Sequence, residues 1–321
     1  MLKQTWITVE VKAKRNEAQD IVSLELADPS GKPLPPFSAG SHLDVKVPSG
    51  LVRQYSLCND PAETNRYLIA VLRDPASRGG SVAVHDAINE GDTLTISAPK
   101  NHFALAHEAR KSLLLAGGIG VTPILCMAER LAMMGANFEM HYAARTLERM
   151  AFVDRIRGSR FADRVKFHFD NGAPVQKLDL AAVLGQPDTG THLYVCGPKG
   201  FMDAVIDTAK ALGWHADNIH YEYFSTAVQS TVGAAFDVVL ASSGKVIRVE
   251  DGVTVLDALR RHGVDLPVSC EQGVCGTCVT RVLEGTPDHR DVYFTDEERA
   301  RNDQFTPCCS RACSTRLLLD L

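Results

Sequence analysis

Cys270, Cys275 and Cys278 are separated by four and two residues, and the pair Cys308-Cys309 follows after a long gap. That is the C-x4-C-x2-C…C spacing by which thiolates hold a plant-type [2Fe–2S] cluster. A short loop bends round one iron while a distant cysteine returns to close the other. Gly273 and Gly276 fall between the sulfurs, where a chain turning its amides toward bridging sulfides needs positive φ. Zinc fits less well, because zinc sites pair two short Cys-x2-Cys hooks and this chain has one. A disulfide framework belongs to short secreted chains. Either Cys308 or Cys309 can supply the fourth thiolate. A cluster of this kind moves one electron at a time, so the chain needs a source of electrons.

Two earlier stretches carry chemistry of a second kind. Arg53-Gln54-Tyr55-Ser56 resembles the Arg-x-Tyr-Ser motif of the ferredoxin reductase family. On a strand Arg53 and Tyr55 share one face. The guanidinium there can clamp a phosphate and the ring can lie on a flavin. The Ser56 amide or hydroxyl would reach the flavin N5 edge. Arg78-Gly79-Gly80-Ser81 precedes an amphipathic stretch, Val82–Ile88. Exposed amides with Ser81 as the helix cap would make a phosphate site. Together these segments suit one terminal phosphate, and no separate aromatic platform for an adenine is evident, so FMN is expected over FAD.

Ala116-Gly117-Gly118-Ile119-Gly120-Val121-Thr122-Pro123 follows an apolar strand, and Tyr194-Val195-Cys196-Gly197-Pro198 ends another. Glycines at strand ends let a pyrophosphate approach the backbone, and Pro123 suits the first position of a helix. Gly118, Gly120, Thr122, Gly197 and Pro198 are therefore candidate dinucleotide contacts, with Cys196 a thiol beside the nicotinamide. The strand Phe138–Ala144 ends in Arg145-Thr146 rather than in an acid that would grip a ribose 2′-hydroxyl. Arg145 and Arg149 could instead meet a 2′-phosphate.

These loops need three kinds of scaffold. Residues 1–106 alternate with period two, as in Val22, Leu24 and Leu26 or Leu43, Val45 and Val47. Several such strands in succession form a small antiparallel barrel. Over 107–225, continuous apolar strands alternate with amphipathic helices, the pattern of a parallel α/β sheet. The small, polar, uncharged residues 226–234 read as a linker. A compact α+β unit, 235–321, then carries the cysteines. The expected fold is thus multidomain: antiparallel flavin barrel, parallel-sheet nucleotide domain and β-grasp ferredoxin domain.

The start of the chain lacks an apolar run of signal-peptide length, and no stretch approaches the ~20 apolar residues of a membrane helix. A cytoplasmic protein with reduced thiols is expected. The net charge of −5 argues against nucleic acid. Residues 235–321 hold fourteen acids against ten bases, so −4 of it lies in the cysteine-rich end. That end should favour a partner with a basic patch.

Across essentially its whole length the chain resembles the phthalate dioxygenase reductase family. The likeness is carried by Arg53-Gln-Tyr-Ser, Arg78-Gly-Gly-Ser, Gly117-Gly-Ile-Gly-Val-Thr-Pro, Cys196-Gly-Pro, Glu222-Tyr-Phe224, the cysteine loop and the closing Leu-Leu-Leu-Asp-Leu. The resemblance implies FMN, NADH as donor in preference to NADPH, and a Rieske-type aromatic oxygenase as acceptor. Phthalate dioxygenase-like systems come first, with O-demethylases and stand-alone diaphorases as alternatives. It also implies Phe224 packed beside the flavin. The Cys308-Cys309-Ser310-Arg311 segment resembles the Cys-x-Ser-Arg of such reductase tails, which makes Cys308 the fourth ligand. No acid–base triad is expected, because hydride and electrons pass through cofactors, and the protein is expected to be a monomer.

Overall fold

The computed structural model describes residues 5–74, 79–224 and 231–321. Alternation in the first hundred residues produces β1 (Trp6–Ala18), β2 (Ile21–Ala27), β3 (Ser41–Lys46), β4 (Val52–Ser56), β5 (Tyr67–Leu72), β6 (Thr93–Ser97) and the short β7 (Lys100–Asn101). They pair antiparallel in the order β4-β3-β6-β1-β2-β5. The two edges meet through an antiparallel bridge, Leu57 to Ile69, which closes the barrel. Leu24, Leu26, Leu43, Val45 and Ile96 fill its interior. Closure removes the exposed edge that an open antiparallel sheet would present.

One helix, α1 (Gly80–Ala87), lies against the barrel. Its cap is Gly79, in the left-handed region at φ 94°, and not Ser81 as the sequence predicts. Ser81 sits inside the first turn, where its hydroxyl accepts from the Asp74 amide at 3.1 Å.

Next come β8 (Lys111–Gly117), α2 (Val121–Met133), β9 (Phe138–Ala144), α3 (Val153–Arg157), β10 (Val165–Phe169), α4 (Leu180–Leu184), β11 (Thr191–Cys196), α5 (Lys199–Ala211) and β12 (Ile219–Glu222). The strands are parallel in the order β10-β9-β8-β11-β12. α2 covers one face, packing Ile124 and Leu125 with Met140 and Tyr142. α5 covers the other, with Met202 and Val205 against Leu113 and Val195. The chain therefore reverses direction across the sheet between β8 and β11, and the crevice at their carboxyl ends is where ligands of such sheets bind. Pro123 is the third helical residue of α2, not the first, because a 3-10 turn over Gly118–Gly120 hands over at Val121.

The boundary expected near residue 106 falls inside a shared core. Ala39, Cys58, Leu68 and Phe103 of the barrel pack in one cluster with Val121, Ile124 and Leu125. Barrel and parallel sheet form one compact unit that ends at Phe224.

The second unit contains β13 (Phe236–Leu240), β14 (Val246–Val249), α6 (Val255–Arg261), β15 (Thr280–Glu284), β16 (Pro287–Asp288), α7 (Asp296–Ala300), β17 (Gln304–Phe305), β18 (Arg311–Ala312) and β19 (Arg316–Leu319). Its main sheet runs β14-β13-β19-β15-β17, with β13 and β19 parallel and β13–β14 a hairpin. α6, capped by the Thr254 hydroxyl, packs Ala258 and Leu259 onto that sheet.

Part of the expected linker lies outside the described residues, and the rest is docked. The Gly233 amide donates to Asp251 Oδ1 at 2.8 Å, and Arg290 Nη1 donates to Val232 O at 3.2 Å. The buried Arg311 guanidinium donates to the carbonyls of Gly233, Ala234, Glu250 and Val253. Residues 231–234 thus belong to the second unit and are no free tether.

Candidate cofactor sites

At the barrel, β4 carries Arg53, Gln54, Tyr55 and Ser56 opposite β3. Arg53 crosses the start of α1 so closely that a Cβ at Gly80 would fall 2.8 Å from its Cγ and Nε. The bare Gly80 leaves room for that side chain, which lies beside the start of an eight-residue helix with no acid in its first turn. Positive charge and a helix start in one place suit a phosphate, and Arg53 Nη1 also donates to Val52 O at 2.7 Å. Arg78 lies outside the described residues. Tyr55 is half-buried along the barrel core, and burial pushes its hydroxyl well above the ordinary tyrosine range.

Ser56 is buried and donates to Glu222 Oε2 at 3.2 Å, joining the barrel to the end of the parallel sheet. Burial pushes the Glu222 carboxyl up to about 7 against the opposing Ser56 hydrogen bond. His42 Nδ1 stands 4.0 Å from Glu222 Oε1, and burial lowers this histidine to about 4. Gln54 Nε2 donates to Asp44 Oδ1, which also holds Lys100 through its other oxygen at 2.6 Å. Sequence reasoning assigned no role to Glu222. Its only signal was its place two residues before Phe224.

At the switch point the two strand-end loops face each other backbone to backbone. A Cβ at Gly120 would fall 2.2 Å from the Cys196 carbonyl oxygen, and one at Gly197 would fall 3.0 Å from Gly117 Cα. The Phe201 ring, four residues after Gly197 on α5, lies over both loops. Sequence reasoning passed over Phe201, although the i, i+4 helical spacing was readable. Cys196 is fully buried, and burial raises its thiol far above the cysteine range, with Glu222 adding to the effect. The Thr122 hydroxyl is spent on Ile119 O at 3.1 Å. Pro198 caps α5. Arg145 is exposed at the carboxyl end of β9. Arg149 pairs with Asp20 of the barrel at 3.7 Å. Phe224 is exposed and is the last described residue of its unit.

In the second unit the cysteines stand as two pairs. Cys270 stands beside Cys275, and Cys308 beside both Cys278 and Cys309. Their proximity pulls the Cys275 thiol down and pushes Cys270 up. Two thiolates for each of two irons is the donor set of a [2Fe–2S] cluster. Gly273 and Gly276 take φ of 72° and 67° as their positions predict. Cys309 also lies close to Cys308, but its sulfur sits in a polar nest, 3.2 Å from Thr306 Oγ1 and 3.8 Å from Ser310 Oγ.

Comparison with known proteins adds three findings. Residues 238–317 match the family described as 2Fe-2S iron-sulfur cluster binding domain, and residues 96–219 match the dimethylamine monooxygenase subunit DmmA-like N-terminal domain. A vanillate O-demethylase oxidoreductase from Pseudomonas sp. (strain HR199 / DSM 7063) is 54% identical, covering 98% of this chain and 100% of that protein. A phthalate dioxygenase reductase from Burkholderia cepacia is 41% identical over 98% of both chains. A solved phthalate dioxygenase reductase, described as a modular structure for electron transfer from pyridine nucleotides to [2Fe-2S], superposes with a TM-score of 0.80 at 40% identity, covering 98% of each chain.

Proposed function

The chain belongs to the phthalate dioxygenase reductase family and is an electron-transfer oxidoreductase, the reductase component of an oxygenase system; we propose that the oxygenase it serves is an O-demethylase acting on a methoxylated aromatic acid. The full-length likeness to a vanillate O-demethylase oxidoreductase carries this reading, because it exceeds the likeness to the phthalate reductases by more than ten percentage points. NADH is the donor, FMN the flavin, and the protein works as a monomer, which light scattering checks.

A flavin accepts two electrons together as hydride and releases them one at a time, which a nicotinamide and a [2Fe–2S] cluster cannot do for each other. The residues of this chain bind and orient. Arg53 and the start of α1 at Gly79–Gly80 would hold the FMN phosphate, and Tyr55 would line the ring. Gly118, Gly120, Gly197 and Pro198 bring bare backbone to the dinucleotide, and Phe201 covers the two loops. Arg145 borders the adenosine end, with Phe224 at the flavin edge. Glu222 holds a proton on its carboxyl near neutral pH beside Ser56, and buried Cys196 keeps water from the same crevice. Cys270, Cys275, Cys278 and Cys308 would hold the [2Fe–2S] cluster, which would supply one-electron transfer.

The test is a coupled assay with purified oxygenase components. Product per NADH should be high with a vanillate-demethylating oxygenase and low with a phthalate oxygenase. Equal coupling to both would overturn the substrate assignment, and NADH oxidation without product in either would leave a diaphorase.

A further inference from the structure

Behind the cluster loop lies a carboxylate that none of the steps above uses. The Asp291 side chain is 0% exposed, on a segment of loop between β16 and α7. Oδ2 accepts from the amides of Tyr293 at 3.1 Å and Phe294 at 2.9 Å. Oδ1 accepts from Ser310 Oγ at 3.3 Å and Thr306 Oγ1 at 3.4 Å, with His289 Nδ1 at 3.3 Å. Arg299 donates to the Asp291 carbonyl at 2.6 Å and brings its guanidinium to 4.0 Å from the carboxylate. A carboxylate enclosed this way is held by five donors drawn from two segments of the unit.

Its position matters more than its count of bonds. Gly273, inside the Cys270–Cys278 loop, packs so tightly on this residue that an added Cβ would fall 2.9 Å from Asp291 Cα. The neighbouring Val292 amide donates to Gly273 O at 3.0 Å. Thr306 and Ser310 flank the turn that carries Cys308, and the Arg290 amide donates to Ser310 Oγ at 3.2 Å. Asp291 therefore stands between the loop that supplies three thiols and the turn that supplies the fourth.

We propose that Asp291 is a positioning residue for the cluster, fixing the distance between the two ligand-bearing segments and placing a carboxylate beside them. The inference rests on the cluster reading and deepens it. Partners one layer out from a metal's ligands commonly govern its retention. A buried negative charge also disfavours adding an electron nearby, so the carboxylate holds the cluster potential down.

Two substitutions in the full-length holoprotein separate these effects. Asp291→Asn keeps the shape and can still accept from the two amides while donating to the hydroxyls, so iron content should stay near wild type while the midpoint potential rises. Asp291→Ala removes both effects, and iron release to a chelator should accelerate by about tenfold or more. Iron is read by colourimetry and potential by dye-linked titration with electron paramagnetic resonance. NADH–ferricyanide reduction by the first unit serves as the folding control. Wild-type iron release in the alanine variant overturns the positioning role, and an unshifted potential in the asparagine variant overturns the charge effect. If the alanine variant loses the second unit altogether, the asparagine potential still decides. Absence of any cluster in the unsubstituted protein would instead refute the underlying cofactor assignment.

Discussion

Where β8 and β11 end, Gly117, Gly120 and Gly197 bring two stretches of backbone together, and no side chain would fit between them. Around the cysteine loop the glycines have another purpose. Gly273 lies under Cys309 and Asp291, and Gly276 under the Tyr293 ring, so removing a side chain makes room for other side chains to act. In the proposed reading the first region would offer close-packed backbone and a helix start to a diffusible, negatively charged nucleotide. The second presents sulfurs, hydroxyls and a carboxylate to a resident inorganic group. A cofactor that comes and goes is met by backbone, and one that stays is met by donors chosen atom by atom.

That contrast breaks most readily at the sulfurs. Cys308→Ser should abolish the cluster's visible absorbance and iron content, whereas Cys309→Ser should leave both nearly intact. A bleached serine-309 variant would move the fourth ligand by one residue. At the backbone site, Gly120→Ala must push a methyl into the Cys196 carbonyl. About 1–3 kcal/mol of strain should appear as a loss of NADH kcat/KM of roughly tenfold to a hundredfold, with FMN retained. Arg53→Ala should weaken FMN by about 1.5–3 kcal/mol, read by equilibrium dialysis of the released flavin, with the cluster unaffected. Mass spectrometry of that flavin checks the assignment, since FAD would refute it.

The smallest effect concerns pH. Burial raises the Glu222 carboxyl from 4.5 to about 7, so between those values the folded protein holds a proton that the unfolded chain releases. Its contribution to stability is full below 4.5 and is lost as pH rises through about 7. Glu222→Gln cannot titrate. The melting temperature of wild type should therefore fall relative to the glutamine variant across that window and level off above it. Parallel curves would show that the carboxyl is not perturbed.

Much of this architecture was readable in advance where one residue type dominates. The boundaries of β9 coincide with the strand expected over Phe138–Ala144, because a strand buried along nearly its whole length leaves that length in the sequence. The cysteine spacing was equally legible. Helix starts were not. Gly79 rather than Ser81 caps α1, and a 3-10 turn displaces Pro123 from the head of α2. Those details follow from how a loop arrives, which local chemistry does not specify. Glu222 escaped for a different reason, since its partner Ser56 is 166 positions away and only the fold makes the carboxyl unusual. Asp291 is hidden likewise, one acid among fourteen in its region.

Anyone excising the iron–sulfur unit for separate study has to choose a first residue, and Arg311 makes that choice for them. Its guanidinium is buried and draws acceptors from Gly233 and Ala234 as well as from Glu250 and Val253. A fragment begun at residue 235 discards two of those carbonyls and leaves a cation underfed in the interior three positions after a ligating cysteine. A fragment begun at 231 keeps the plug in its socket. The longer piece should express as a brown, soluble protein and the shorter one should lose iron on the column, a difference of four residues that alignment by strand boundaries alone would never recommend.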